Sequence, residues 1–166
     1  MKKGTILLLL LLLMVASSSM TMGKDTRKIA VIVSVDWVAA DSVETDELKL
    51  IYLGKIKDFA GKKVNPRQRR RGLPIRGRFV KSVLGMNERV LKKYWIEEQF
   101  KRGARPPAAS FSFKSVINYV SNVEGAISYI DASRLKGDVL EEVKILPLRV
   151  GERVIYPSDA GYFLQY

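Results

Sequence analysis

Ile29-Ala30-Val31-Ile32-Val33 is a continuous apolar run in which β-branched side chains dominate. A strand with one wet face alternates polar and apolar residues, whereas an unbroken run suits a strand covered on both faces, the habit of parallel sheets. The run therefore predicts an interior strand. Downstream, Thr45-Asp46-Glu47 precedes Leu48, Ile51 and Tyr52. A capping hydroxyl, acidic first-turn residues and i, i+3, i+4 apolar spacing predict a helix there, which Gly54 can end in the left-handed conformation. Leu73-Pro74 opens a second helix carrying Ile75, Phe79, Val80, Val83 and Leu84, closed by Gly85. Asn87 caps a third, with Val90, Leu91, Tyr94 and Trp95 as its apolar stripe and Lys92, Lys93, Glu97 and Glu98 outward. After the breaker Gly103-Ala104-Arg105-Pro106-Pro107, Ser112 or Ser115 starts a fourth helix through Val116, Ile117 and Val120. Gly125 precedes a second buried strand over 126–130, and further strands are expected over 143–148 and 154–156. Strands alternating with helices predict one α/β layer structure with a mainly parallel central sheet flanked by helices.

Composition narrows the chemistry. The chain has 166 residues, 47% hydrophobic, with 29 Lys plus Arg against 17 Asp plus Glu, a formal charge of +12, and neither Cys nor His. Disulfides, thiolate nucleophiles, His-based triads and most transition-metal cages are excluded, and no cofactor is expected. A cationic surplus fits phosphate, carboxylate, nucleic acid or anionic lipid. At the N-terminus, Lys2 and Lys3 precede an apolar run over 6–15 and then Ala16-Ser17-Ser18-Ser19. Ten residues at about 1.5 Å each cannot span a core of about 30 Å, so residues 1–22 read as a secretory signal peptide and 23–166 as a single periplasmic or secreted domain.

Glu47-Leu48-Lys49-Leu50-Ile51-Tyr52-Leu53-Gly54-Lys55 resembles the E-L-x-x-I-F-x-G-K segment of the phosphate-binding proteins of ABC transporters. Residues 79–85, then Tyr94-Trp95, Phe100 and Gly103 with Pro106-Pro107, are similar to the short stand-alone members of that periplasmic-binding-protein-like superfamily. Gly125-Ala126-Ile127-Ser128-Tyr129-Ile130 resembles their G-A-I-G-Y-V strand. The pieces keep order and spacing over residues 29–148. This resemblance implies a single periplasmic-binding-protein-like lobe that is not an enzyme, with phosphate or another small anion as ligand and transporter subunits as partners. Full-length relatives hold phosphate between two lobes, and a mature chain of about 145 residues has the size of one domain.

The same resemblance and the charge pattern meet at one turn. Arg67, Arg69, Arg70 and Arg71 precede Gly72, and Arg76 and Arg78 lie in the first turns of the second helix. A helix start presents unpaired amides and a positive dipole end, and guanidinium groups can grip oxyanions in bidentate fashion. In the relatives an Arg and a Ser-Gly-Thr run ligate phosphate here. Arg69 falls nearest that Arg, while Leu73, Pro74 and Ile75 take the Ser-Gly-Thr places, so both hydroxyls are missing and Pro74 removes one amide donor. The expected anion-binding set is Arg69, Arg70, Arg71, Gly72 and Arg76, joined by Ser34, which ends the first strand where parallel sheets bind ligands. No metal ligands are expected. The alternative partner is an anionic membrane surface or an envelope protein; export and the lack of interleaved aromatics argue against nucleic acid.

Overall fold

The structure is a computed structural model that describes residues 29–151 and the backbone of Arg153–Ile155. The 1–22 leader reading lies outside the described residues. Along the chain come strand β1 (Ile29–Ser34), β2 (Val43–Glu44), helix α1 (Thr45–Tyr52), the hairpin β3 (Asp58–Phe59) and β4 (Lys62–Lys63), β5 (Asn65–Pro66) and β6 (Gln68–Arg69). Then follow α2 (Pro74–Ser82), α3 (Glu88–Arg102), β7 (Ala109–Ser110), α4 (Phe113–Asn122) and β8 (Ala126–Asp131). A 3-10 turn (Ala132–Arg134), short α5 (Val139–Glu142), β9 (Val143–Ile145), β10 (Leu148–Val150) and β11 (Arg153–Ile155) complete it.

The central sheet has the order β5-β8-β1-β9, so β1 is interior as its composition requires. Its direction corrects the expectation of a mainly parallel sheet: β1 is antiparallel to both β8 and β9, and only β5 and β8 run parallel. The sheet is mixed. An unbroken β-branched run reports cover on both faces and carries no information on strand direction, which the connections decide. Odd residues Ile29, Val31 and Val33 enter one core with Leu48, Ile51, Tyr52, Phe79 and Leu91, contributed by α1, α2 and α3. Even residues Ala30 and Ile32 enter a second core with Val116, Ile117 and Val120 of α4. At about 1.5–3 kcal/mol for each large side chain fully buried, both faces contribute to stability.

Helix ends follow local chemistry. Asn87 Oδ1 accepts the Val90 N–H at 2.9 Å, and Ser112 Oγ accepts that of Ser115 at 3.0 Å, so Ser112 is the cap of α4. Thr45 does not cap α1; its hydroxyl donates to the Arg149 carbonyl at 3.0 Å. Glu98, expected outward, is buried and meets Lys55 at 3.6 Å and Arg102. It shares a helix face with Leu91 and Trp95 at i−7 and i−3, and the two cations make that burial tolerable. The strand expected over 143–148 is divided by Leu146-Pro147 into β9 and β10. Among the described residues, no helix is long and apolar enough to cross a membrane.

Below the arginine turn lies an aromatic trio. The Phe79 and Tyr129 rings stack with centroids 3.7 Å apart, and Tyr52 meets Phe79 edge-on at 4.7 Å. Burial pushes the Tyr129 phenol up to about 12 and Tyr52 well above its ordinary value. An unfolded tyrosine titrates near 10, so the neutral phenols favour the folded state fully below that pH, and the advantage drains as pH rises toward 12. Alkaline unfolding is expected in that window. In a titration followed by phenolate absorbance, Tyr52 and Tyr129 should ionise only with loss of near-ultraviolet dichroism; ionisation of all seven tyrosines with dichroism intact would refute this.

Candidate anion site

The segment carrying the arginines is fastened to the sheet by its own backbone. Arg67 N–H donates to Ile127 O at 2.8 Å, and the Arg67 carbonyl accepts from the Tyr52 hydroxyl at 3.1 Å and the Ser128 hydroxyl at 2.9 Å. Arg69 N–H donates to the Tyr129 hydroxyl at 3.2 Å. On the other side Gln68 N–H bonds Ala108 O and Arg70 N–H bonds Ser110 O, continuing the parallel β6–β7 pair. Arg70 to Leu73 then form a β-turn closed by Leu73 N–H on Arg70 O at 3.4 Å. Gly72 is its third residue at φ +85°, the left-handed place a type II turn needs. α2 follows with Pro74 in its first turn and no side-chain cap.

Two arginines of this segment are buried, and their surroundings differ. Arg76 is neutralised: its Nε and Nη2 donate to Glu88 Oε1 and Oε2 at 2.6 and 3.3 Å, and its Nη1 donates to Gln68 Oε1 and, at 2.8 Å, to Arg69 O. It joins β6, α2 and α3, with four of its five N–H groups donating within the protein. Arg69 is 6% exposed, yet no carboxylate among the described residues pairs with it. Its Nη1 donates to Ser112 O at 3.0 Å, and its Nε is buried without a partner. Burial holds its guanidinium below the ordinary arginine value; Tyr129 opposes this, and the charge of Arg134 adds a smaller push in the same direction as burial.

Arg70 and Arg71 are exposed beside it, Arg71 only 3.6 Å from Glu88, and the Arg70 guanidinium has no partner among the described residues. Ser34 is not brought to this turn. It lies past Val33, which faces Ile127 near the start of β8, whereas α2 reaches Asp131 at the end of β8 through Arg78 at 3.3 Å. In the sheet order β1 is also two strands from β5, about 10 Å sideways. The antiparallel direction of β1 carries its C-terminal end away from the arginines, which a parallel sheet would not have done.

Sequence reading missed two contributors. Arg67 belongs to the run but is placed by stacking on the Tyr119 ring at 4.4 Å and by Nε donation to Ser110 Oγ at 3.0 Å. Arg134 arrives from the turn after β8 and stacks on Phe113 at 4.8 Å. Nothing in local sequence signals that approach. Among the described residues no three acidic side chains converge as a metal cage would require.

No protein-family model and no curated protein matches the chain. Solved structures do. PstS from Borrelia burgdorferi is 18% identical with a TM-score of 0.59, matching 80% of this chain and 49% of its own. An ABC-type phosphate transport receptor from Vibrio cholerae is 16% identical with a TM-score of 0.55, over 74% and 46%. A candidate phosphate transporter substrate-binding protein from Clostridium perfringens, solved with bound phosphate, is 22% identical with a TM-score of 0.52, over 74% and 45%. The chain thus spans under half the length of each of these receptors and is similar to them in fold.

Proposed function

We propose that the chain is an exported, non-enzymatic solute-binding-like module that takes phosphate or another small oxyanion at the Arg69-to-Leu73 turn. The observation that carries this reading is the buried Arg69 guanidinium, which lacks a carboxylate among the described residues and has an unpaired Nε. A buried cation without a counter-charge is costly, and an oxyanion seated against it offsets that cost with charge-assisted hydrogen bonds. Arg70 and Arg71 are exposed at the adjoining turn, and Gly72 keeps that turn free of a side chain. Arg76 is left out because Glu88 neutralises it, and Ser34 because it lies elsewhere on the sheet. The fold likeness to phosphate receptors supports a small-anion ligand, and the basic, apolar, small-residue order of the first 22 residues supports export.

Calorimetric titration of the full chain with inorganic phosphate tests the reading. Saturable binding is expected, and Arg69→Met should weaken it about ten- to a hundredfold, the weight of one charge-assisted contact. The same variant should stay within about 1 kcal/mol of the parent stability, since it trades an unneutralised buried charge for an apolar side chain. Failure of the parent chain to bind phosphate, or equal binding by Arg69→Met, would remove the site.

A further inference from the structure

Helix α3 turns one face into the core through Leu91, Trp95 and Glu98. The opposite stripe is Arg89, Lys93, Ile96 and Phe100, at i, i+4, i+7 and i+11, which fall within about 60° of one another at helical pitch. Phe100 is 95% exposed and Ile96 56% exposed, so two large apolar side chains stand in water on the outermost line of the helix. Cations flank them on both sides: Lys92 is exposed on one edge and Lys101 on the other. Glu97 is the one carboxylate on this face, 3.9 Å from both Lys93 and Lys101. No described element packs on the stripe.

We propose that this face is a docking surface for an anionic phospholipid bilayer, with Phe100 and Ile96 entering the headgroup boundary and the surrounding cations meeting lipid phosphates. An apolar stripe edged by Lys and Arg on an otherwise polar helix is the pattern of an in-plane interfacial helix. The charge complements anionic headgroups, and the whole chain carries +12. Two side chains in line are too few for the packed centre of a standard protein interface, which buries about 800 Å² per partner. A single phenyl ring at headgroup depth needs no such area. The surface is separate from the Arg69 turn, so the two proposals stand or fall independently.

The chain contains no Cys, so one introduced cysteine gives a single labelling site. Full-length Ile96→Cys and Asn118→Cys, each carrying an environment-sensitive NBD fluorophore, would be mixed with phosphatidylcholine vesicles with and without phosphatidylglycerol. Position 118 is exposed on α4 and shares the apolar 6–15 run, so it reports association driven by that run alone. The expected result is a several-fold, blue-shifted emission rise at position 96, requiring phosphatidylglycerol, falling with salt and absent at position 118. Adding Phe100→Ser to the Ile96→Cys chain should lower partitioning about tenfold. No change at position 96, an equal change at 118, or an equal response on neutral vesicles would overturn the proposal, as would retention by a phosphopeptide or acidic protein without vesicle binding.

Discussion

Gly125→Ala is expected to cost about 4 kcal/mol or more, a large part of the 5–15 kcal/mol that holds a domain of this size together. Gly125 sits at φ +70°, and a Cβ there would lie 2.0 Å from the Lys63 carbonyl oxygen and 3.1 Å from its carbon. Those are backbone atoms at the point where the chain enters β5, so no rotamer change relieves the clash. The same junction carries Asn65 N–H on Gly125 O at 2.8 Å and Asn65 Nδ2 on Glu124 O at 2.7 Å. Opening it unpairs β5 from β8 and loosens the segment that positions Arg67 and Arg69. Gly137→Ala is the matched control: φ is +51° with nothing within 4 Å of the added carbon, so about 1–2 kcal/mol of backbone strain is all that is expected. Denaturant unfolding of the two variants decides it. Similar midpoints would show that the Lys63 carbonyl can retreat and that the junction is not rigid.

Arg76→Met should cost about 3 kcal/mol, for a different reason. The side chain is lost from a buried network, leaving Gln68 Oε1 and the Arg69 carbonyl without their donor and Glu88 with only Arg71 at 3.6 Å. Breaking one side of a buried pair typically costs about 3–5 kcal/mol, and the partial exposure of Glu88 places this case at the lower end. Removing both charges, as Arg76→Met with Glu88→Leu, should recover much of the loss, because no uncompensated carboxylate is left behind. Phosphate affinity of that double variant is expected to match the parent within about fivefold, the factor that about 1 kcal/mol represents. A parent-like stability for the single variant, or loss of phosphate binding in the double variant, would make Arg76 a ligand rather than a strut.

The arginines between residues 67 and 78 look alike in one dimension. Folding sorts them: Arg76 against Glu88, Arg78 against Asp131, Arg67 on the Tyr119 ring, and Arg69 buried with its Nε unpaired. Charge density along the chain shows where an anion would be drawn. It cannot show which guanidinium is free, because Glu88, Asp131, Ser112 and Tyr119 come from other elements. The aromatic neighbours were invisible for the same reason. Tyr119 lies 52 residues from Arg67 and Phe113 lies 21 from Arg134, so no interleaving in sequence records them.

Much of the local physics was legible, although Thr45 does not make the cap expected of it. The two-faced β1, the helix starting at Pro74, the Asn87 and Ser112 caps, the left-handed Gly54 and the resemblance of residues 47–55 and 125–130 to phosphate-binding proteins all rest on local sequence or on two-sided burial. Strand direction, the removal of Ser34 from the arginine turn, the burial of Glu98 and the isolation of Arg69 were decided only by tertiary structure. Each depends on which distant segment arrives alongside, and neither periodicity nor charge along one strand encodes the direction or identity of its neighbour.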